Sequence, residues 1–299
     1  MMIIAAKVDA SSLPAIAVDL FLNPRVDRSR GYAAERARIL GGKAFDDARR
    51  EITSWPGYAV TPLHRLGGLA EALALGEIHY KDEGGRFGLG SFKALGGAYA
   101  VGRLLVELAG RRAGRAVTTR ELAAGAYREL VRDVTVTCAT DGNHGRSVAW
   151  GAQMFGCKCV IYIHATVSEG RKAAIERYGA EVVRTTGNYD AAVRRADADA
   201  RQYRRHIISD TSYAGYMDVP RDVMQGYAIM ADEAMQQLGG RAPTHVFLQG
   251  GVGGMPAAVC ACLWERFGAE RPVMVVVEPV AADCLLQSAR AGQTVAVRG

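Results

Sequence analysis

From about residue 78 the chain alternates short β-branched runs with longer stretches whose apolar positions recur every three to four residues. IHYK (78–81), DVTVTCAT (133–140), CVIYIH (159–164), EVVRTT (181–186), HIISD (206–210), THVFLQ (244–249) and PVMVVVEP (272–279) read as strands. Between them, residues 93 to about 108, 144–156, 168–180, 189–203, 222–238 and 256–268 read as helices. Ser168 is a natural N-cap, and Gly156 and Gly179 are natural stops. Strands alternating with helices predict βαβ units and a parallel sheet covered on both faces. The strand runs are almost continuously apolar, which predicts burial on both sides. Residues 109–133 have few apolar anchors and read as surface. The first sixty residues are less periodic, and WPGYAVTPLHRL is broken by Pro56, Gly57 and Pro62.

Bulk composition narrows this α/β picture a little. The chain has 299 residues, 49% hydrophobic and 23% charged, enough for one large or two ordinary domains. No apolar run is long enough to cross a bilayer. The opening MMIIAAKVDASSLP lacks a basic segment before its apolar residues, so no secretory leader and a cytoplasmic location are expected. A net charge of +6 invites a nucleic-acid reading. The cations are mixed with acids along helices such as EGRKAAIERYGAE, so solvated faces are expected and no nucleic-acid or membrane partner. The six cysteines form no CxxC pair, so no metal is expected; all six read as reduced and mostly buried.

In open α/β sheets, ligands bind beyond the carboxyl ends of the strands. The segments there are DEGGRFGLGSFK, DGNHG (141–145), TSYAGYMDVP, GGVGGMP (250–256) and VAADC. GGVGGM opens into a helix, so its N–H groups form either a phosphate cradle or only a tight turn. It fits neither the Walker nor the dinucleotide pattern. DGNHG reads either as an Asx-type cap with turn glycines or as a ligand loop. Lys93 follows Ser91-Phe92. With Ser91 as N-cap, Lys93 falls in the first helical turn, where the helix field disfavours an ammonium. A lysine there is either a solvated face or a neutral amine able to form a Schiff base. Lysine, glycine loop and amide together suggest pyridoxal phosphate.

SFKALGGAYA resembles the lysine segment of fold-type-II pyridoxal-phosphate enzymes, the group of threonine dehydratase and the tryptophan synthase β-chain. The wider series YKDEGGRFGLGSFKALGGAYA, ATDGNHGRSVAWGAQ, SDTSYAGY, VMQGYAIMADEA, QGGVGGM and VEPVAADC, running in order from about Asn23 to the end, resembles the diaminopropionate ammonia-lyase family. The resemblance implies two doubly wound α/β domains with the cofactor in the cleft between them. The larger comprises 1–93 and 214–299, and the smaller 94–213. It implies that Lys93 holds the cofactor and shuttles protons, and that Asn143 bonds the ring hydroxyl. Gly250, Gly251, Val252, Gly253 and Gly254 cradle the phosphate. Asp141 is a second acid/base group on the opposite face of the substrate, and Asp210 lies near the substrate amino groups. Ser91 and its neighbouring N–H groups would receive the substrate carboxylate.

The implied reaction is a carbon–nitrogen lyase reaction. Ammonia is eliminated from D- or L-2,3-diaminopropionate, giving pyruvate and two ammonia, in a homodimer. Chains of this family continue past the equivalent of Gly299, where further strands of the larger domain and the partner of the pyridine nitrogen lie. The larger domain is therefore expected to be incomplete, with sheet edge and core exposed. Two other readings stay open: a serine/threonine dehydratase-like β-eliminase, against which Asp141 stands where those enzymes typically carry Ser, and a shortened non-catalytic relative.

Overall fold

A computed structural model of the chain describes residues 17–297. The opening residues 1–14, read above as lacking a secretory leader, lie outside the described residues. In chain order the elements are α1 (Ala34–Ala37), α2 (Gly42–Ile52), β1 (Leu63–Arg65), α3 (Gly67–Ala72), β2 (His79–Lys81), a 3-10 stretch (Glu83–Gly88) and α4 (Ala94–Ala113). There follow α5 (Thr119–Ala123), α6 (Arg128–Val131), β3 (Thr135–Ala139), α7 (Asn143–Phe155), β4 (Lys158–Ile163), α8 (Glu169–Glu176), β5 (Glu181–Arg184), α9 (Tyr189–Tyr203) and β6 (His206–Ile207). The chain continues through α10 (Asp218–Gln237), β7 (His245–Gln249), α11 (Gly254–Phe267), a 3-10 turn (Gly268–Glu270), β8 (Val273–Val277) and α12 (Cys284–Ala291).

The strands form a parallel four-stranded sheet in the order β5-β4-β3-β6, a parallel pair β7-β8, and an antiparallel pair β1-β2. The expected strand–helix alternation is present throughout the parallel part. Uniform burial is not. Val136, Cys138, Ile161, Tyr162 and Ile163 in β3 and β4 are fully buried, whereas Phe247 of β7 is 70% exposed, and Val273, Val276 and Val277 of β8 are also exposed. Among the described residues no helix is long and apolar enough to cross a membrane.

Three further expectations change. Residues 109–133 are not merely surface: Val117, Thr119, Leu122 and Val131 are buried against α4 and its neighbours. A capping box between Thr118 and Glu121 starts α5, and Trp55 Nε1 donates to Thr119 Oγ1 at 3.0 Å. Helix α10 begins at Asp218, four residues before the expected start at Asp222, because Pro220 sits in its first turn, where a missing N–H costs nothing. Of the cysteines, only Cys138 and Cys159 are fully buried; the other four are half-buried.

Helix α4 is the axis of the molecule. Gly97 and Gly151 let α7 press against it: a Cβ at Gly97 would stand 1.9 Å from Ser147 Oγ, and one at Gly151 2.8 Å from the Ala98 Cα. On the other side, a Cβ at Gly226 of α10 would stand 1.9 Å from the Leu95 carbonyl oxygen. Small residues therefore set both crossings by letting backbones touch.

The loop leading into α4 is fixed by a buried charge cluster. Arg86, fully buried, donates to Glu83 at 2.8 Å and to Glu233 of α10 at 2.7 and 2.8 Å. It also donates to the Ala59 carbonyl and to Thr61 Oγ1. Lys81 and Tyr58 also donate to Glu233, at 2.7 and 2.8 Å, as does the Thr61 N–H at 3.3 Å. Beside it, Phe87 adopts a left-handed backbone (φ 49°). That conformation is costly for a bulky residue, and packing offsets it: the ring lies 4.7 Å from Trp150 and 6.1 Å from Trp55, centroid to centroid.

Candidate active site

In the four-stranded sheet the chain winds outward from β3 to β5 and returns to β6 on the other side of β3. The crevice beyond the carboxyl ends of β3 and β6 is thus the topological switch point. The two loops that meet there carry Asp141, Asn143 and His144 on one side and Asp210 on the other. The first loop is shaped by Thr140, whose Oγ1 accepts the N–H groups of Gly142 and Gly145, each at 3.0 Å.

Lys93 enters from the start of α4. It is itself the N-cap residue, with a helical backbone (φ −62°, ψ −20°). Ser91 is therefore not the cap, because the helix begins after the tight turn at Phe92. The Lys93 Nζ donates to Asp210 Oδ2 at 2.5 Å, with Lys93 27% and Asp210 12% exposed. Lys93 is thus neither a solvated face nor an unpartnered amine: it is paired with a buried carboxylate. His144 lies behind the pair. Its Nε2 donates to the Ile208 carbonyl at 2.8 Å, which places the ring proton there. Its Nδ1 stands 3.6 Å from Asp210 Oδ2 and has no hydrogen-bond partner. Burial pushes the His144 pKa down, towards the neutral ring. Burial also opposes the charge on Asp210. The cations it faces reverse this and hold its carboxyl at about 2, and with His144 drawn towards neutral the Lys93 ammonium carries most of that effect.

The second glycine loop closes the crevice. Gly250 N–H donates to the Val277 carbonyl at 2.7 Å, and a Cβ at Gly250 would stand 2.5 Å from Glu278 Cγ. Gly253 takes a left-handed φ of 84° as the N-cap of α11. A Cβ at Gly254 would lie 3.9 Å from the Asp210 carbonyl oxygen, so this loop and the Lys93–Asp210 pair share one site. Val252 is exposed. Glu278 accepts the N–H groups of Leu285 and Leu286 at 3.0 and 2.8 Å, anchoring α12 beside the loop. Asn143 is the first residue of α7; its Oδ1 accepts from Arg146 Nη2 at 2.9 Å, which leaves its amide NH2 as a donor. Arg146 also lies within 3.4 Å of the Cβ position of Gly90, joining this loop to the one before Lys93.

Asp141 is placed differently. It is 65% exposed and accepts a hydrogen bond from His164 Nε2 at 2.9 Å. Among the described residues no hydrogen bond or ion pair joins it to Lys93. The sequence reading missed His144, His164, Arg146 and Glu278. His144 and Glu278 stood inside quoted motifs, and a histidine ending a buried strand was a usable sign for His164.

The donor set fits pyridoxal phosphate. An amine faces a carboxylate, the start of a 14-residue helix carries a run of glycines for a phosphate, and an amide donor stands at the third wall. Among the described residues no cluster of three or more His, Cys, Asp or Glu is arranged to hold a metal ion.

Fold and site together define a cofactor-dependent α/β enzyme class, and the chain belongs to the family described as pyridoxal-phosphate dependent enzymes, which matches residues 54–299. Its arrangement is that of fold type II. Within this class it is similar to the diaminopropionate ammonia-lyase of Salmonella typhimurium, 43% identical over 258 residues, 84% of this chain and 63% of that one. It is also similar to that of Escherichia coli K12, 40% identical over 246 residues, 81% of this chain and 60% of that one. A crystal structure of the E. coli diaminopropionate ammonia lyase, in complex with an aminoacrylate-PLP azomethine reaction intermediate, superposes with a TM-score of 0.80 at 35% identity, covering 94% of this chain and 70% of that one. The chain thus spans about three-fifths of the length of the curated relatives it matches.

Proposed function

We propose that this site eliminates ammonia from 2,3-diaminopropionate, in either enantiomer, giving pyruvate and two ammonia. The observation that carries this reading is the Lys93–Asp210 pair, 2.5 Å apart, beside the glycine loop at the start of α11. Bound pyridoxal phosphate supplies an electron sink for the negative charge left at the substrate Cα.

The protein's own groups do the rest. The N–H groups of Gly251, Val252, Gly253 and Gly254 hold a phosphate at the positive end of α11; Gly250, expected in the same cradle, spends its N–H on the Val277 carbonyl and shapes the turn instead. Asn143 donates its amide to a ring hydroxyl. Lys93 Nζ provides the attachment point and, once freed, takes the Cα proton on its face. Asp210 holds that ammonium in place and keeps its proton available for the departing β-amino group. Asp141 offers a carboxylate for the opposite face, the physical requirement for acting on both enantiomers. Ser91 and the N–H groups around it receive the substrate carboxylate. The reading includes a cytoplasmic homodimer, with residues 94–213 as the smaller domain and 1–93 with 214–299 as the larger.

The test is direct. The purified chain is mixed with pyridoxal phosphate, its visible spectrum recorded, and the adduct reduced with borohydride and mapped. A label on Lys93 together with pyruvate formed from diaminopropionate supports the reading. A label elsewhere, or none, overturns it.

A further inference from the structure

We propose that His164 is a positioning residue for Asp141, and that a Thr166–His164–Asp141 chain sets how well this carboxylate works on one face of the substrate. The inference rests on the reading of Asp141 as an acid/base group.

His164 follows the buried end of β4, with its own side chain 18% exposed. Its Nε2 is 2.9 Å from Asp141 Oδ1, and its Nδ1 is 3.0 Å from Thr166 Oγ1. A carboxylate only accepts, so Nε2 carries the proton. In the neutral ring Nδ1 then accepts from the Thr166 hydroxyl. In the protonated ring Nδ1 donates and the same hydroxyl accepts. Both bonds survive either charge state, because a hydroxyl works in both directions. The turn that carries His164 is itself pinned. Arg184 Nη1 donates to the carbonyls of His164, Ala165 and Val167 at 3.4, 3.0 and 2.6 Å, and its Nη2 pairs with Glu169 at 2.6 Å.

Asp141 has no other anchor for its side chain among the described residues. Arg171 reaches only its backbone carbonyl, at 3.3 Å. The next residue, Gly142, has φ 150°, a conformation that a side chain rarely adopts. An exposed carboxylate on such a turn samples several rotamers unless something holds it. His164 fixes Oδ1, and Oδ2 is left to take a proton from the substrate. The other charged or titratable groups around this pair are Arg171, Arg184, Glu169 and Tyr189.

The experiment uses the cofactor-loaded protein and both enantiomers of diaminopropionate. His164→Leu removes the donor, and His164→Gln restores an amide nitrogen near the Nε2 position. Asp141→Asn identifies which enantiomer depends on Asp141. His164→Leu should lower kcat on that enantiomer by about tenfold to a hundredfold, as for a misplaced catalytic group. It should leave KM and the other enantiomer nearly unchanged, and His164→Gln should recover most of the loss. One readout does not depend on turnover: nitrogen-15 NMR should show the Nε2–H tautomer at His164. Equal loss on both enantiomers in His164→Leu, no recovery with Gln, or an Nδ1–H tautomer would overturn the proposal. If Asp141→Asn impairs both enantiomers alike, the acid/base reading of Asp141 falls instead, and the tautomer decides alone whether His164 holds it.

Discussion

Replacing Arg86 by Met keeps most of the aliphatic volume and removes one buried cation from between two carboxylates. Glu83 then keeps Thr61, and Glu233 keeps Lys81 and Tyr58, but each loses its guanidinium. Breaking one side of a buried ion pair costs about 3–5 kcal/mol, since the remaining charge stays desolvated. For a chain of 299 residues, unfolding entropy of roughly 2.1 cal/mol/K per residue gives about 0.6 kcal/mol per kelvin, so the melting temperature should fall by about 5–8 °C at pH 7. The pH dependence gives a second signature. Burial opposes the Glu233 charge, but hydrogen bonds from Arg86 and Lys81 hold its carboxyl at about 2 against an ordinary 4.5. A depressed carboxyl stabilises the fold above about pH 4.5, and that contribution drains away as pH falls towards 2. The gap between the native protein and Arg86→Met should therefore narrow in acid. Thermal unfolding followed by circular dichroism at pH 7 and pH 3.5 measures both quantities. An unchanged midpoint at pH 7, or a gap as wide at pH 3.5, would refute the reasoning.

Other perturbations test separate parts of the structure. Lys93→Ala should abolish the borohydride-fixed label; retained yellow colour with turnover would contradict the assignment. Gly226→Ala places a methyl 1.9 Å from the Leu95 carbonyl oxygen, and overpacking of about 1–3 kcal/mol should lower the melting temperature by roughly 2–5 °C. A scanning-calorimetry trace identical to the parent would show that the two helices cross with more room than described. Asp222 has its carboxyl raised to about 6, chiefly by burial, despite Arg103 nearby. Its contribution to stability is full below the ordinary 3.8 and is lost as pH rises through 6. Asp222→Asn should therefore raise the melting temperature by roughly 1–3 °C at pH 8 and not at pH 4; the reverse order would show that the Arg103 pair dominates.

Much of this was readable in the residues before any coordinates. The strand–helix alternation from β2 to β8 follows from periodicity alone, and Ser168 and Gly156 act at the helix ends as their chemistry dictates. The sequence order of glycine loops and Lys93 was enough to point to the cofactor. What stayed hidden depends on contacts between distant residues. Lys93 and Asp210 are 117 positions apart, so the carboxylate that pairs with the lysine cannot be read from the lysine's neighbours. Ser91 has good capping chemistry, but the turn at Phe92 starts the helix later. The segment 109–133 looked superficial because α5 and α6 are too short to show a period, although Val117, Leu122 and Val131 are buried. Apolar content in β7 and β8 predicted burial, yet Phe247 and Val277 are exposed, because a strand's composition does not say what covers it.

The glycines along α4 also bear on how this protein can change over time. Any side chain at Gly96, Gly97, Gly151 or Gly226 wedges neighbouring helices apart, and the displaced helix is the one whose N-cap, Lys93, faces Asp210. These four positions face neighbouring helices, yet a mutation at any of them reaches the Lys93–Asp210 pair as surely as one in the crevice. Lineages varying this scaffold therefore have little freedom in the helix that carries the lysine. Their room for variation lies in the turns around the crevice, where Asp141 and His164 sit.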